Sequence, residues 1–390
     1  MKPIIPKLAL TFFQSKRNVI IIYILLAVIA SLKQYLKGSF NNYLIFKHVY
    51  WHSINFQNLY IPYPEYGDTN HYGPIFSLLI APFALLPDGV GTILWNIANV
   101  SILLWGIFSL PLSLQNRIIV AWICAHETLT ALFSFQFNIA LTGFILLTFS
   151  YIYKQREFRS AFFIVLGTFV KLYGIVGLAF FFFSKHKVRF ILYGMLCAVM
   201  LFALPMLLSS PSFVLQSYVD WYHSLVEKNA VNASLTSGQD ISIMGLFRRI
   251  TQNPTISNTP FLLFGLVLFA IPYMRVNQFK YLSFQMMMMA STLIFTVIFS
   301  SGSESPTYII AFAGVAIWFL NKEDSFTGWR IFLFAFAIVL TSLSPSDLFP
   351  RYIRQNFVQP YSLKALPCVL IWIDIVYQMA VKDFKKYSFS

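Results

Sequence analysis

The chain has 390 residues, 58% of them hydrophobic and 18% aromatic, with only 11% charged and a mean hydropathy of +0.68. A soluble domain carries about 25% charged residues, so a soluble globular protein is excluded, and runs such as IVGLAFFFF do not alternate as the strands of a membrane barrel do. The net charge of +14 is no nucleic-acid signature either, because the Lys and Arg residues stand in short clusters between apolar segments, as the positive-inside rule requires.

Apolar stretches recur from Asn18 to Val381, which predicts one all-α, polytopic membrane domain over 1–390. The start, MKPIIPKLALTFFQSKR, is basic and only briefly apolar, with no small-residue cleavage site; it predicts an uncleaved first helix over 18–32. Basic clusters at Lys2, Lys7, Lys16 and Arg17, and then around 117, 154–159, 185–189, 275–280, 322–330 and 382–386, take 18 of the 28 basic residues. Placed inside, they leave a first outer loop over 33–73 and a large one over 210–259, with outer-loop helices near 40–58 and 212–228.

Residues 74–112 hold more apolar length than one crossing needs. They predict a short or re-entrant piece, PIFSLLIAPFALLP, followed by a full helix from about Gly91 to Leu112. Helices follow near 118–134 and 137–153. The segment 160–184 carries basic clusters at both ends, so it must go out and come back. Its 25 residues suffice for two short helices with Lys171-Leu172-Tyr173-Gly174 at the tip. One long tilted helix with a snorkelling Lys171 is the alternative. The remaining helices are expected near 188–209, 260–274, 281–300, 305–320, 329–345 and 364–381. The total is about twelve crossings with both termini inside.

On this topology the unusual polar residues collect on one side. A transporter would keep them at the midplane, reachable from both faces; one-sided equipment points to an enzyme at the membrane–water boundary. The loop YPEYGDTNHYGP, Tyr63 to Pro74, supplies Glu65 and Asp68 on a path fixed by Pro and Gly. A partly desolvated carboxylate there serves as a general base; the alternative is that the pair caps the helix starting near Pro74. Lys171, Arg248, Arg249, Arg351, Arg354 and Lys364 are cations able to neutralise a phosphate leaving group. Arg351 and Arg354 equally suit lipid headgroups. The aromatic residues crowding this side fit sugar stacking or an interfacial belt.

His126-Glu127 lies inside an apolar segment and is read as packing, too near mid-helix to meet the outer loops; Asp374 is read the same way. The three cysteines lie in apolar segments and read as buried hydrophobes. No acidic pair suggests a metal, and no cofactor fingerprint is present.

The stretch YGPIFSLLIAPFALLPDGVGTILWNIANV, 73–100, resembles glycosyltransferase family 87 in Tyr72, Pro74, Ala81, Pro82, Leu85, Leu86, Pro87, Leu94, Trp95 and Asn96. FQFNIALTGFILL (135–147) is similar to the family's Gln-x-Asn stretch and FVKLYGIVGLAFFFF (169–183) to its Lys-x-Tyr segment. The resemblance, spanning about 33–320, implies a GT-C type fold. It also implies transfer of a hexose, typically mannose, from a polyprenyl phosphate to a glycan or glycolipid acceptor at the outer face of the cell membrane. The Asp usual early in the first outer loop is replaced by Asn41-Asn42, and an amide cannot accept a proton. The base is therefore expected at Asp68, or failing that Glu65. Lys171 with Arg351 or Arg354 is expected to hold the phosphate. Asn41, Asn42, His71, Tyr72, Gln136, Asn138, Tyr173 and Glu304 are expected to bind or orient substrate. A carrier of lipid-linked glycans and a non-catalytic binding relative remain the other readings.

Overall fold

The computed structural model describes residues 11–323 and 325–389; the basic residues Lys2 and Lys7 lie outside them. Helices α1 (Lys16–Leu36), α2 (Asn41–Ile54), α3 (Phe76–Ala84), α4 (Asp88–Ser109), α5 (Leu114–Phe133), α6 (Asn138–Tyr153) and α7 (Glu157–Val170) form the first half. A 3₁₀ segment, Leu172–Phe183, follows. Then come α8 (Lys187–Ala203), α9 (Pro211–Asn232), α10 (Ile243–Thr251), α11 (Thr259–Ala270), α12 (Leu282–Ile298), α13 (Tyr308–Leu320), α14 (Gly328–Phe336) and α15 (Leu366–Val381). The chain is an all-α polytopic membrane protein. Among the described residues, four helical stretches are long and apolar enough to cross a bilayer: Lys16–Leu36, Asp88–Ser109, Lys187–Leu207 and Leu363–Val381, with six shorter apolar helices beside them.

Helices α6, α12 and α13 are apolar on every side and almost wholly buried, so they form the bundle's centre. Helix α8 is the opposite case. Val188, Leu192 and Val199 are exposed, as on a face that meets lipid. Three of the basic residues expected inside meet at one end of the bundle. Arg117 donates to Phe108 O at 2.8 Å and Lys154 to Ser109 O at 3.2 Å, while Lys16 sits 4.8 Å from the Phe108 ring.

Several sequence expectations hold in detail. The short piece is the nine-residue α3, separated by Pro87 from the 22-residue α4. The segment after Arg159 does turn back on itself. Lys171 leaves the helix with extended backbone (φ −149°, ψ 126°), which rules out one long helix. The two arms touch at Gly167 and Gly174, where a Cβ on Gly174 would lie 2.2 Å from Gly167 C. Only glycine permits that approach, and it holds Lys171 at the tip. The 3₁₀ form of the returning arm went unpredicted, because a segment apolar on every side carries no periodicity to tell three residues per turn from 3.6.

Candidate active site

At the end of the bundle opposite the basic cluster lies a cavity of about 400 Å³. Its wall draws on α2, the 68–72 loop, the turn before α6, the Lys171 tip, α9 and the 300–304 turn.

The loop is held by specific contacts. Gly73 N–H donates to Val170 O at 3.1 Å, and Trp221 Nε1 to His71 O at 2.9 Å. Tyr60 OH and Asn70 Nδ2 both donate to Tyr72 O at 3.0 Å. A Cβ on Gly73 would fall 2.0 Å from Phe169 O, so the docking requires glycine. His71 Nδ1 lies 2.8 Å from Ser224 Oγ on α9, and its Nε2 lies 3.2 Å from Thr69 Oγ1. Burial, with Lys228 nearby, pushes the His71 imidazole down to about 4, so it is neutral near pH 7.

Within the cavity a polar chain runs across three elements. Tyr72 stacks on Phe76 at 4.7 Å, and its OH donates to Gln136 Oε1 at 3.1 Å. Gln136 Nε2 donates to Glu304 Oε1 at 3.0 Å. Phe135, in the left-handed region at φ 51°, makes the turn from α5 to α6 that carries Gln136. Glu304 N–H donates to Thr307 Oγ1 at 3.3 Å, and Ile241 N–H to Ser303 O at 2.8 Å, which fixes the turn beneath the carboxylate. Burial raises the Glu304 carboxyl above its ordinary range, against the opposing pull of Lys171 and Lys228.

Lys171 Nζ donates to Asn138 Oδ1 at 2.9 Å and stands 4.9 Å from the Tyr173 ring and 5.7 Å from the Tyr72 ring. Tyr173 OH pairs with Ser300 Oγ at 2.6 Å. The structure thus brings Asn42, Asp68, His71, Tyr72, Gln136, Lys171, Tyr173 and Glu304 to one cavity, with Asn138 behind Lys171. Asp68 is exposed, its Oδ1 accepting from Thr69 N–H at 2.8 Å.

Other expected residues lie elsewhere. Glu65 and Asn41 are exposed and do not line the cavity. Arg351 is exposed, and Arg354 lines a second cavity, where it pairs with Asp347 at 3.4 Å. Arg248 is not available to a phosphate, being buried against Asp240 at 2.6 Å. Lys364 is likewise engaged, 3.1 Å from both oxygens of Glu127. Glu127 therefore does meet the segment that precedes the last helix, contrary to its sequence reading; Lys364 reaches inward to it and to Ser305 Oγ at 3.0 Å. Sequence reasoning missed Lys228, Asn229 and Asn232, which line the cavity from α9. Asn232 is buried and its Oδ1 has no hydrogen-bond partner, leaving an acceptor for a ligand hydroxyl. Among the described residues no three His, Cys, Asp or Glu side chains converge as a metal site.

Residues 70–301, more than half of the chain, match glycosyltransferase family 87. No curated protein matches.

Proposed function

The chain belongs to glycosyltransferase family 87, and on that premise we propose that this membrane glycosyltransferase moves a hexose from a polyprenyl phosphate to an acceptor hydroxyl in the 400 Å³ cavity. Mannose is the sugar that the family resemblance implies. The supporting observation is the convergence of Lys171, Gln136, Glu304 and Tyr72 on one cavity. The gathering of basic residues at the other end of the bundle supports an outward-facing site on the cell membrane.

In this reading the bond between the anomeric carbon and the phosphate oxygen breaks, and its electron pair leaves with the lipid phosphate. Lys171 and Lys228 stabilise the charge that develops there. The acceptor oxygen bonds to the anomeric carbon and gives up its proton. Glu304 takes that proton. Its basicity is raised by burial, and Gln136 fixes its orientation. Asn42, His71, Asn138, Tyr173 and the unpartnered Asn232 Oδ1 orient the saccharides. Asp68 is the second candidate for the base, favoured by its place in the same wall and disfavoured by its exposure to water.

Purified protein given a labelled polyprenyl-phosphate sugar should transfer label to an acceptor. Glu304→Gln should abolish transfer, and Asp68→Asn should spare most of it. The reverse pattern would move the base to Asp68, and full activity in both variants would remove the base from this cavity.

A further inference from the structure

A transferase must bring two substrates to one reacting point, and a second cavity adjoins the first. It measures about 870 Å³ and shares Gln239 with its neighbour; Glu304 lines the first and Ser305 the second. The smaller cavity sits near the low end of the range of roughly 300–1,000 Å³ for small-molecule sites, and the larger near its upper end.

The charge of the second cavity is one-sided. Lys33, Lys37, Arg249, Arg354 and Lys364 line it, against the single carboxylate of Asp347. Asp347 pairs with Arg354, and Glu127, behind the wall, neutralises Lys364. Among the described residues no carboxylate forms an ion pair with Lys33, Lys37 or Arg249. Arg249 is spent on fixing the wall. Its guanidinium donates to the carbonyls of Ser237, Gln239 and Asp240 and to Ser362 Oγ, and it shares the one nearby carboxylate, Asp240, with Arg248.

A further observation points to a ligand. Ser344, which lines this cavity, is 1% exposed, and its Oγ has no hydrogen-bond partner. A buried hydroxyl left unsatisfied costs stability, and a ligand oxygen would satisfy it. The rest of the wall is rich in neutral hydrogen-bonding groups, among them Gln34, Thr130, Ser134 and Gln359. Such groups suit hydroxyls, while the uncompensated cations suit an anion.

We propose that the second cavity holds the acceptor, and that the acceptor is a saccharide bearing an anionic group such as a phosphate ester. Lys33 and Lys37 meet the anion, and the saccharide extends past Gln239 so that its hydroxyl reaches Glu304. The assignment of this cavity to the acceptor rests on the proposed transfer reaction. The anion-bearing saccharide as its ligand rests on the cavity alone.

Binding to the full-length protein in detergent separates the two. The probes are mannotriose carrying one 6-phosphate, plain mannotriose, inorganic phosphate and a short-chain polyprenyl phosphate. The phosphorylated trisaccharide should bind about tenfold tighter than the plain one, the scale of one charge-assisted hydrogen bond. Lys33→Gln/Lys37→Gln should remove that advantage, and Ser344→Ala should weaken both saccharides. Lys33 lies in the last turn of α1 and Lys37 caps its end, both exposed, and unchanged thermal melting of the double variant checks that the fold is kept. Equal binding of the two saccharides, or an advantage that survives the double variant, would overturn the proposal. Inorganic phosphate binding as tightly as the phosphorylated trisaccharide would reduce the cavity to an anion site. Displacement of that trisaccharide by polyprenyl phosphate would give the cavity to the donor instead. Specific binding without any sugar transfer would leave this ligand in place while refuting the proposed reaction.

Discussion

Glu304→Gln separates chemistry from packing. The amide keeps the shape of the side chain, and its oxygen can still accept from Gln136 Nε2, 3.0 Å away in the native protein. It cannot accept a proton. General-base catalysis contributes about 10²–10⁴-fold, so initial rates with a labelled polyprenyl-phosphate sugar should fall at least about 100-fold. Stability should move the other way. Burial raises the folded-state Glu304 value above that of the unfolded chain. The folded protein therefore binds more protons than the unfolded one between the ordinary carboxylate range and the raised value, and its stability falls as pH rises through that window. The amide removes this cost, so Glu304→Gln should melt at the same temperature as the native protein, or higher, near pH 7. The native pH–rate profile should also show an acid limb above the ordinary carboxylate value of about 4.3. Near-native turnover in Glu304→Gln, or loss of turnover accompanied by a lower melting temperature, would refute the reasoning.

Lys171→Gln should lower kcat by about 10²–10³-fold, the scale of one lost electrostatic stabiliser of the transition state, measured with the same donor at saturation. Lys364→Met strands the buried Glu127 carboxylate and should cost about 3–5 kcal/mol by equilibrium unfolding in micelles, with most of it recovered in Glu127→Leu/Lys364→Met. Gly73→Ala forces a Cβ toward Phe169 O and should undock the 68–72 loop, seen as lost turnover with unchanged helix content by circular dichroism. The folded-state value of His71, about 4, lies below its ordinary value of about 6.5. Acidification through that interval should therefore progressively destabilise the protein, and His71→Gln should flatten that part of the melting-temperature profile.

Local pattern carries much of this molecule. The basic clusters flanking 160–184 and the glycines within it imposed a hairpin, and the hairpin put Lys171 in the wall of the first cavity. The outer-loop helices expected near 40–58 and 212–228 match Asn41–Ile54 and Pro211–Asn232, because turn residues bound each segment. What eluded the sequence is pairing between distant residues. Lys364 and Glu127 are 237 positions apart, and nothing in either segment marks the other as its partner. Arg351 and Arg354 share the polar side with Lys171, but side alone does not say which cavity a residue reaches. Lys228 and Asn232 belong to a helix with a weak apolar face, so their direction toward the cavity depends on how α9 docks through Trp221 and Ser224. Glu304 was legible only as a polar residue on the right side. Its raised basicity comes from burial and its orientation from Gln136, both products of the fold.

The most direct test of the transfer site is a structure of full-length Glu304→Gln with a polyprenyl-phosphate hexose bound. The account predicts the phosphate within hydrogen-bond distance of Lys171 Nζ and the anomeric carbon facing residue 304. A phosphate lodged in the second cavity against Lys33 and Lys37, with Lys171 still bonded only to Asn138, would contradict it.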